Sequence, residues 1–175
     1  MMRKAAASRV SPRRVPALPK KMKRMPEEAM LSKLLDRNEV DEKLIVKMSK
    51  TIASFHSKAK TNSNISKFGL PAMIEANWEE NFDQTREFLN VAISERDFDL
   101  IRKRVTRYIE KSKPLFRKRI AERRIRDCHG DIHSGNIFVT DRIYIFDAIE
   151  FNERFRCCDI ASDVAFLAMD LELRG

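Results

Sequence analysis

Apolar residues recur at helical spacing through most of the chain and switch to a different rhythm only near its C-terminal third. From Asp41, the positions Leu44, Met48, Ile52, Phe55 and Ala59 predict a helix to about Lys60. A shorter helix before it is expected from Pro26 to about Leu35, because Pro26 gives up no needed N–H at a helix start and Glu27 and Glu28 complement the dipole. Asn62 to Pro71 reads as a loop. Trp78, Phe82, Thr85 and Leu89 outline a third helix. Ser94 with Asp97 opens a fourth, with Phe98, Ile101, Val105 and Ile109 as its buried stripe. A fifth is expected to enter at Pro114 and to use Leu115, Phe116, Ile120 and Ile125. Two short strands follow, Ile137–Val139 and Ile143–Phe146, joined by a turn at Asp141 and Arg142. The last segment, Ile160 to Leu171, is apolar nearly all round, which predicts a helix buried against something. The expected fold class is α+β and mainly helical, with one short hairpin.

Charge changes this picture only at the N-terminus. The chain has 35 Lys+Arg against 26 Asp+Glu and a formal net charge of +9. Residues 1–24 hold nine of the bases and no acid, so the remainder is balanced. The basicity therefore belongs to a leader, expected to be disordered over residues 1–20 and rich in proline (Pro12, Pro16, Pro19). Such a leader superficially resembles a transit peptide or a phosphate-binding arm, but a solvated tail accounts for it and nucleic acid is not the expected partner. No apolar run is long enough for a signal peptide or membrane span, and three cysteines without a secretion signal read as reduced thiols, so a cytoplasmic location is expected.

The chemistry concentrates in Arg126 to Val139, RDCHGDIHSGNIFV. One reading is metal ligation by Cys128, His129, Asp131 and His133. A structural zinc site usually adds a second, spaced ligand pair, and the adjacent Cys157 and Cys158 do not supply it cleanly. The other reading starts from His129-Gly130-Asp131 with Asn136 following after four residues, the spacing of a kinase catalytic loop with glycine in place of arginine. An aspartate there accepts the hydroxyl proton of the acceptor, while the asparagine holds a metal on the phosphates. The hairpin then delivers Asp147 where kinases carry their second metal-binding aspartate. His56, Trp78 and the Phe82/Leu89 stripe read as structural, and Glu150 and Glu153 as solvated surface rather than acceptor contacts.

HGDIHSGNIFV and IYIFDAIEFNERFRCCDIASDVAFLAMDL resemble the aminoglycoside phosphotransferase superfamily, which includes choline-kinase-like enzymes. The closer resemblance is to the phosphotransferase-like domain that bacteria fuse ahead of an ATPase-type domain. It extends over 21–175. It implies a protein-kinase-like C-terminal lobe in which Asp131 is the catalytic base, Asn136 and Asp147 hold Mg2+ on ATP or another nucleotide, and His129, His133 and Asp159 brace the loop. The other partner would be a small molecule bearing a hydroxyl. Asp159 also reads as a helix cap.

The resemblance departs at the N-terminal lobe. The chain has no glycine before Gly69 and its first 20 residues show no strand alternation, so a glycine-rich phosphate loop is missing. Met22 and Lys23 resemble the end of the segment linking the two lobes. The expectation is a truncated phosphotransferase lobe, inactive alone and completed by an N-terminal lobe or a fused ATPase-type domain. The alternative is a non-catalytic remnant or interaction module of that family.

Overall fold

A computed structural model describes residues 25–174. The expected leader and the Met22 and Lys23 hinge lie outside the described residues. The described chain is mainly helical with two small two-stranded sheets. Among the described residues no helix is long and apolar enough to cross a membrane.

Helix α1 (Leu31–Asp36) follows a single 3-10 turn at Glu27–Ala29, so the expected first helix is split at Met30. Met30 bridges to Phe138 instead of continuing the helix, and Leu31 behind it is fully buried. Helix α2 (Glu42–Lys58) starts where the Asp41 carboxylate accepts the Leu44 amide at 2.8 Å. It buries Met48, Ile52 and His56, a stripe at strict four-residue spacing. The stretch expected as a loop forms the short α3 (Ser63–Ser66), capped by Asn62, and a 3-10 turn at Lys67–Gly69.

Helix α4 (Pro71–Thr85) begins earlier than the apolar stripe suggested, because Pro71 occupies its first turn, where a missing N–H is harmless. Helix α5 (Glu95–Ala121) is the larger correction. It is one helix of 27 residues running through Pro114, not two. Proline in a helix interior forfeits the bond to the carbonyl four residues back and costs about 3 kcal/mol. Anchors on both sides of Pro114 offset this: Phe98 packs edge-on against Phe82 of α4, while Arg119 pairs with Asp159 and Ile120 packs beside Ile65, Ile125 and Cys157. In the expected stripe of α5, Phe98 and Ile109 are buried but Ile101 is exposed.

Ile125 belongs to strand β1 (Ile125–Asp127), which pairs antiparallel with β4 (Cys157–Asp159), Asp127 opposite Cys157. This pairing had no periodic signal, each strand being three residues long. The expected hairpin is present as β2 (Ile137–Val139) and β3 (Ile143–Ile145), with Phe138 opposite Tyr144. After α6 (Glu153–Arg156) and β4 comes α7 (Ile160–Leu173). Its inward side chains Asp163 and Leu167 are buried, but Val164, Phe166, Met169 and Leu173 are exposed among the described residues, so the expectation of burial all round is not met.

The main core joins Leu31, Met48, Ile52, Ile132, Ile137 and Leu167. Ile132 comes from the HGD loop itself, so the loop is pinned from inside the hydrophobic core. Gly69 sits where an added Cβ would lie 2.5 Å from Ile125 side-chain carbons, and Ile125 is itself too buried to turn aside. Gly69→Ala is expected to overpack this contact and lower stability by about 1–3 kcal/mol. Urea unfolding followed by circular dichroism checks it, and an unchanged midpoint would mean the β1 edge can yield.

Candidate active site

The HGD loop leaves β1 with its backbone bent sharply. Gly130 has φ +83°, and a Cβ there would lie 2.7 Å from the Phe155 carbonyl oxygen, so only glycine fits the position. Both amides at the bend point to one acceptor. The Gly130 N–H donates to Asp163 Oδ1 at 2.9 Å and the His129 N–H to Asp163 Oδ2 at 3.3 Å. The same Oδ2 accepts His56 Nε2 at 2.8 Å. Burial raises the Asp163 pKa, but the His56 bond and the two loop amides outweigh it and hold the carboxyl below its ordinary range. Burial likewise lowers His56, yet its bond to Asp163 and the neighbouring Cys128 raise it to about 9.

His129 ties the loop to the hairpin. Its Nε2 bonds the Phe146 carbonyl at 2.9 Å and its Nδ1 lies 3.3 Å from the Asp131 N–H, an arrangement that suits the neutral ring protonated on Nε2. Its carbonyl accepts the Ile149 N–H at 3.0 Å. His133 Nδ1 accepts the Gly135 N–H at 3.2 Å, and its Nε2 is 3.7 Å from Asp131 Oδ2. Ser134 is held by Asp170, whose Oδ2 accepts its N–H at 2.7 Å. Both histidines therefore shape the loop.

The loop brings Asp131 and Asn136 together. Asn136 Nδ2 donates to the Asp131 carbonyl at 3.1 Å and to its Oδ2 at 3.2 Å, which orients the carboxylate and leaves Oδ1 free of bonds to described residues. Asp147 joins them through the backbone: the Phe146 N–H donates to the Asn136 carbonyl at 3.1 Å, so β3 delivers the next residue beside the loop. Asp147 has φ +62°, a left-handed conformation uncommon outside glycine, asparagine and aspartate, and its side chain is exposed. Neither Asp147 nor the Asn136 Oδ1 bonds a described residue.

Asp159 does not hold the loop with its side chain. Its Oδ1 caps α7 by accepting the Ala161 N–H at 2.8 Å, and both of its oxygens pair with Arg119 of α5. The helix-cap reading is correct, and the bracing expected of Asp159 is done by Asp163 one turn later. The proposed ligand set also regroups: among the described residues Cys128 clusters with His56 and Asp163, not with His129, Asp131 and His133. Asp163 and His56 were legible only together. A histidine continuing the Met48 and Ile52 stripe calls for a buried partner, but nothing local names residue 163.

Two open volumes flank the loop. The larger, about 1020 Å³, lies between α4, α5 and β4 and reaches the loop at Gly130. Asp131 instead lines a groove of about 720 Å³ with His133, Phe166, Met169, Asp170 and Glu172.

Comparison with known proteins yields uncharacterized proteins of Mycobacterium tuberculosis and Mycobacterium bovis, each 32% identical over 129 residues, which cover 73% of this chain and 26% of the relative. The chain spans about a quarter of the length of the curated relatives it matches. No family model matches, and no solved structure matches.

Replacing Asp163 separates the two aspartates of α7. Asp163→Asn leaves buried His56 without its anionic partner and weakens the acceptor of two loop amides, an expected loss of about 3–5 kcal/mol. Asp159→Asn keeps a competent helix cap and loses only the charge of its partly exposed pair with Arg119, an expected loss of about 1 kcal/mol or less. Urea midpoints of the two variants test the order, and the reverse order would show that the loop is held from elsewhere.

Proposed function

We propose that the chain carries the catalytic loop of an ATP-dependent small-molecule phosphotransferase, in a lobe of protein-kinase type. What supports this most directly is the Asn136 amide orienting the Asp131 carboxylate, together with the backbone bond from Phe146 to the Asn136 carbonyl, which brings the chain at Asp147 next to the loop. In this reading Asp131 accepts the proton of the acceptor hydroxyl at its free Oδ1 as the acceptor oxygen bonds the γ-phosphorus and the bond to the ADP oxygen breaks. Asn136 fixes the carboxylate's direction. His129 and Asp163 hold the loop in place, which matters because phosphoryl transfer depends on positioning more than on covalent help.

The unbonded Asn136 Oδ1 and the Asp147 carboxylate are hard oxygen donors and fit Mg2+, which usually needs substrate phosphates to fill its remaining positions. Bound there with a nucleotide, it would neutralise charge on the β- and γ-phosphates. The acceptor would approach Asp131 along the groove beside α7.

A second reading, a remnant that binds without turning over, is favoured for the isolated chain by one observation. Among the described residues the strands form only two short pairs, and none carries a glycine-rich loop to clamp a triphosphate. The nucleotide clamp would come from an N-terminal lobe or a fused ATPase-type domain.

The chain alone is accordingly expected to show no ATP-dependent transfer above background, but to bind Mn2+–ADP weakly, read by water-proton relaxation. Asp147→Asn should abolish that binding, whereas Asp131→Asn, which alters the proton acceptor and not the metal donors, should keep it within about twofold. Binding that ignored Asp147, or that required Asp131 instead, would remove the phosphotransferase assignment of these residues.

A further inference from the structure

Behind the loop, three side chains with metal-binding atoms converge on one buried point. His56 of α2, Cys128 at the loop entry and Asp163 of α7 each offer one ligand atom, and these atoms all lie within 4.8 Å of one another. The three residues are at most 5% exposed. We propose that His56, Cys128 and Asp163 form a metal site for a borderline divalent cation of the zinc class, one that clamps α2, the loop entry and α7 together. The proposal stands apart from the phosphotransferase reading, whose Mg2+ donors are Asn136 and Asp147.

The donor set suits such a cation: thiolate sulfur, imidazole nitrogen and carboxylate oxygen are the usual zinc ligands, and sulfur argues against Mg2+ or Ca2+. Charge fits as well. A thiolate, a carboxylate and a neutral imidazole bring two negative charges, and among the described residues Asp163 pairs with no lysine or arginine, only with His56. A divalent cation balances that pair at a buried position.

Geometry needs modest adjustment. Bonds of about 2.0–2.3 Å at tetrahedral angles put ligand atoms about 3.3–3.6 Å apart. His56 Nε2 and Asp163 Oδ2, now 2.8 Å apart, would open slightly. The proton they share, and any proton on the Cys128 sulfur, would leave to solvent as the metal–ligand bonds form. The outer contacts are already built, since the Gly130 and His129 amides hold the Asp163 carboxylate as second-layer bonds usually hold a metal-binding carboxylate. An entry path exists too, because His56 lines a groove of about 880 Å³ between α2 and α7. The fourth position falls to water.

Cobalt(II) alone, titrated into the metal-free full chain, tests this by absorbance, because a thiolate ligand gives a sulfur-to-cobalt charge-transfer band. The expected result is a band saturating near one equivalent and displaced by zinc. The band should persist in the Cys157→Ser/Cys158→Ser double variant, where Cys128 is the sole thiol, and disappear in Cys128→Ser. His56→Gln, which removes a ligand, should weaken zinc by more than the roughly tenfold that loss of an outer-shell partner costs. No band in the folded wild-type chain, loss of the band in the double variant, or a band that survives Cys128→Ser would each overturn the proposal and leave the cluster as a hydrogen-bonded network. Should Cys128→Ser fail to fold, the wild-type and double-variant spectra decide the matter between them.

Discussion

A single buried carboxylate organises the loop region. Asp163 sits inside α7 with both oxygens committed, one to the Gly130 amide and the other to the His129 amide and the His56 ring. A carboxylate placed out of water is strongly destabilising unless its charge is compensated and its lone pairs are filled. Here the compensation comes from the loop that has to be shaped, so satisfying the aspartate and bending the loop are the same event. The left-handed Gly130 follows from it: the backbone must turn both amides toward one residue, and the Phe155 carbonyl leaves no room for a side chain while it does so.

The consequences propagate outward in layers. His129, fixed by its amide, is free to use both ring nitrogens, one on the Phe146 carbonyl and one toward the Asp131 amide. Asn136 then reaches back to Asp131 across a 3-10 turn at Ser134–Asn136, and Asp147 is held in a sparsely populated conformation between hydrogen bonds made by Phe146 and Ile149. Strain of this kind persists only where the surroundings over-determine it. The hydrophobic core cooperates, because Ile132 inserts between Leu31, Met48 and Ile137 and fixes the loop's depth while the polar contacts fix its direction.

How much of this was legible depends on the range of the interaction that decides each element. Helix α2, the cap at Ser94, the β2–β3 hairpin and the grouping of Asp131 with Asn136 rest on residues close in sequence, where periodicity and spacing speak directly. The β1–β4 pair was not legible, since three-residue strands carry no alternation and their partners are about 30 residues apart. The continuity of α5 through Pro114 was hidden for a similar reason: local propensity argues for a break, and the packing that overrides it comes from α4, β1 and Asp159. The same limit explains the aspartates of α7. Asp159 has a local signature as a cap, whereas the role of Asp163 exists only once α2 and the loop lie against it, and His56 is 107 residues away.

That separation bears on how the chain acquires its loop during synthesis. Gly130 emerges 33 residues before the carboxylate that receives its amide, an interval of about 2–7 s at typical translation rates. Until α7 has been made, the bend at Gly130 has two unreceived donors and His56 has no counter-charge, so the nascent HGD segment lacks the contacts that set its bend. The bend is therefore completed only once α7 is present, and an intermediate ending before residue 163 would present α2 and the loop without the carboxylate that joins them.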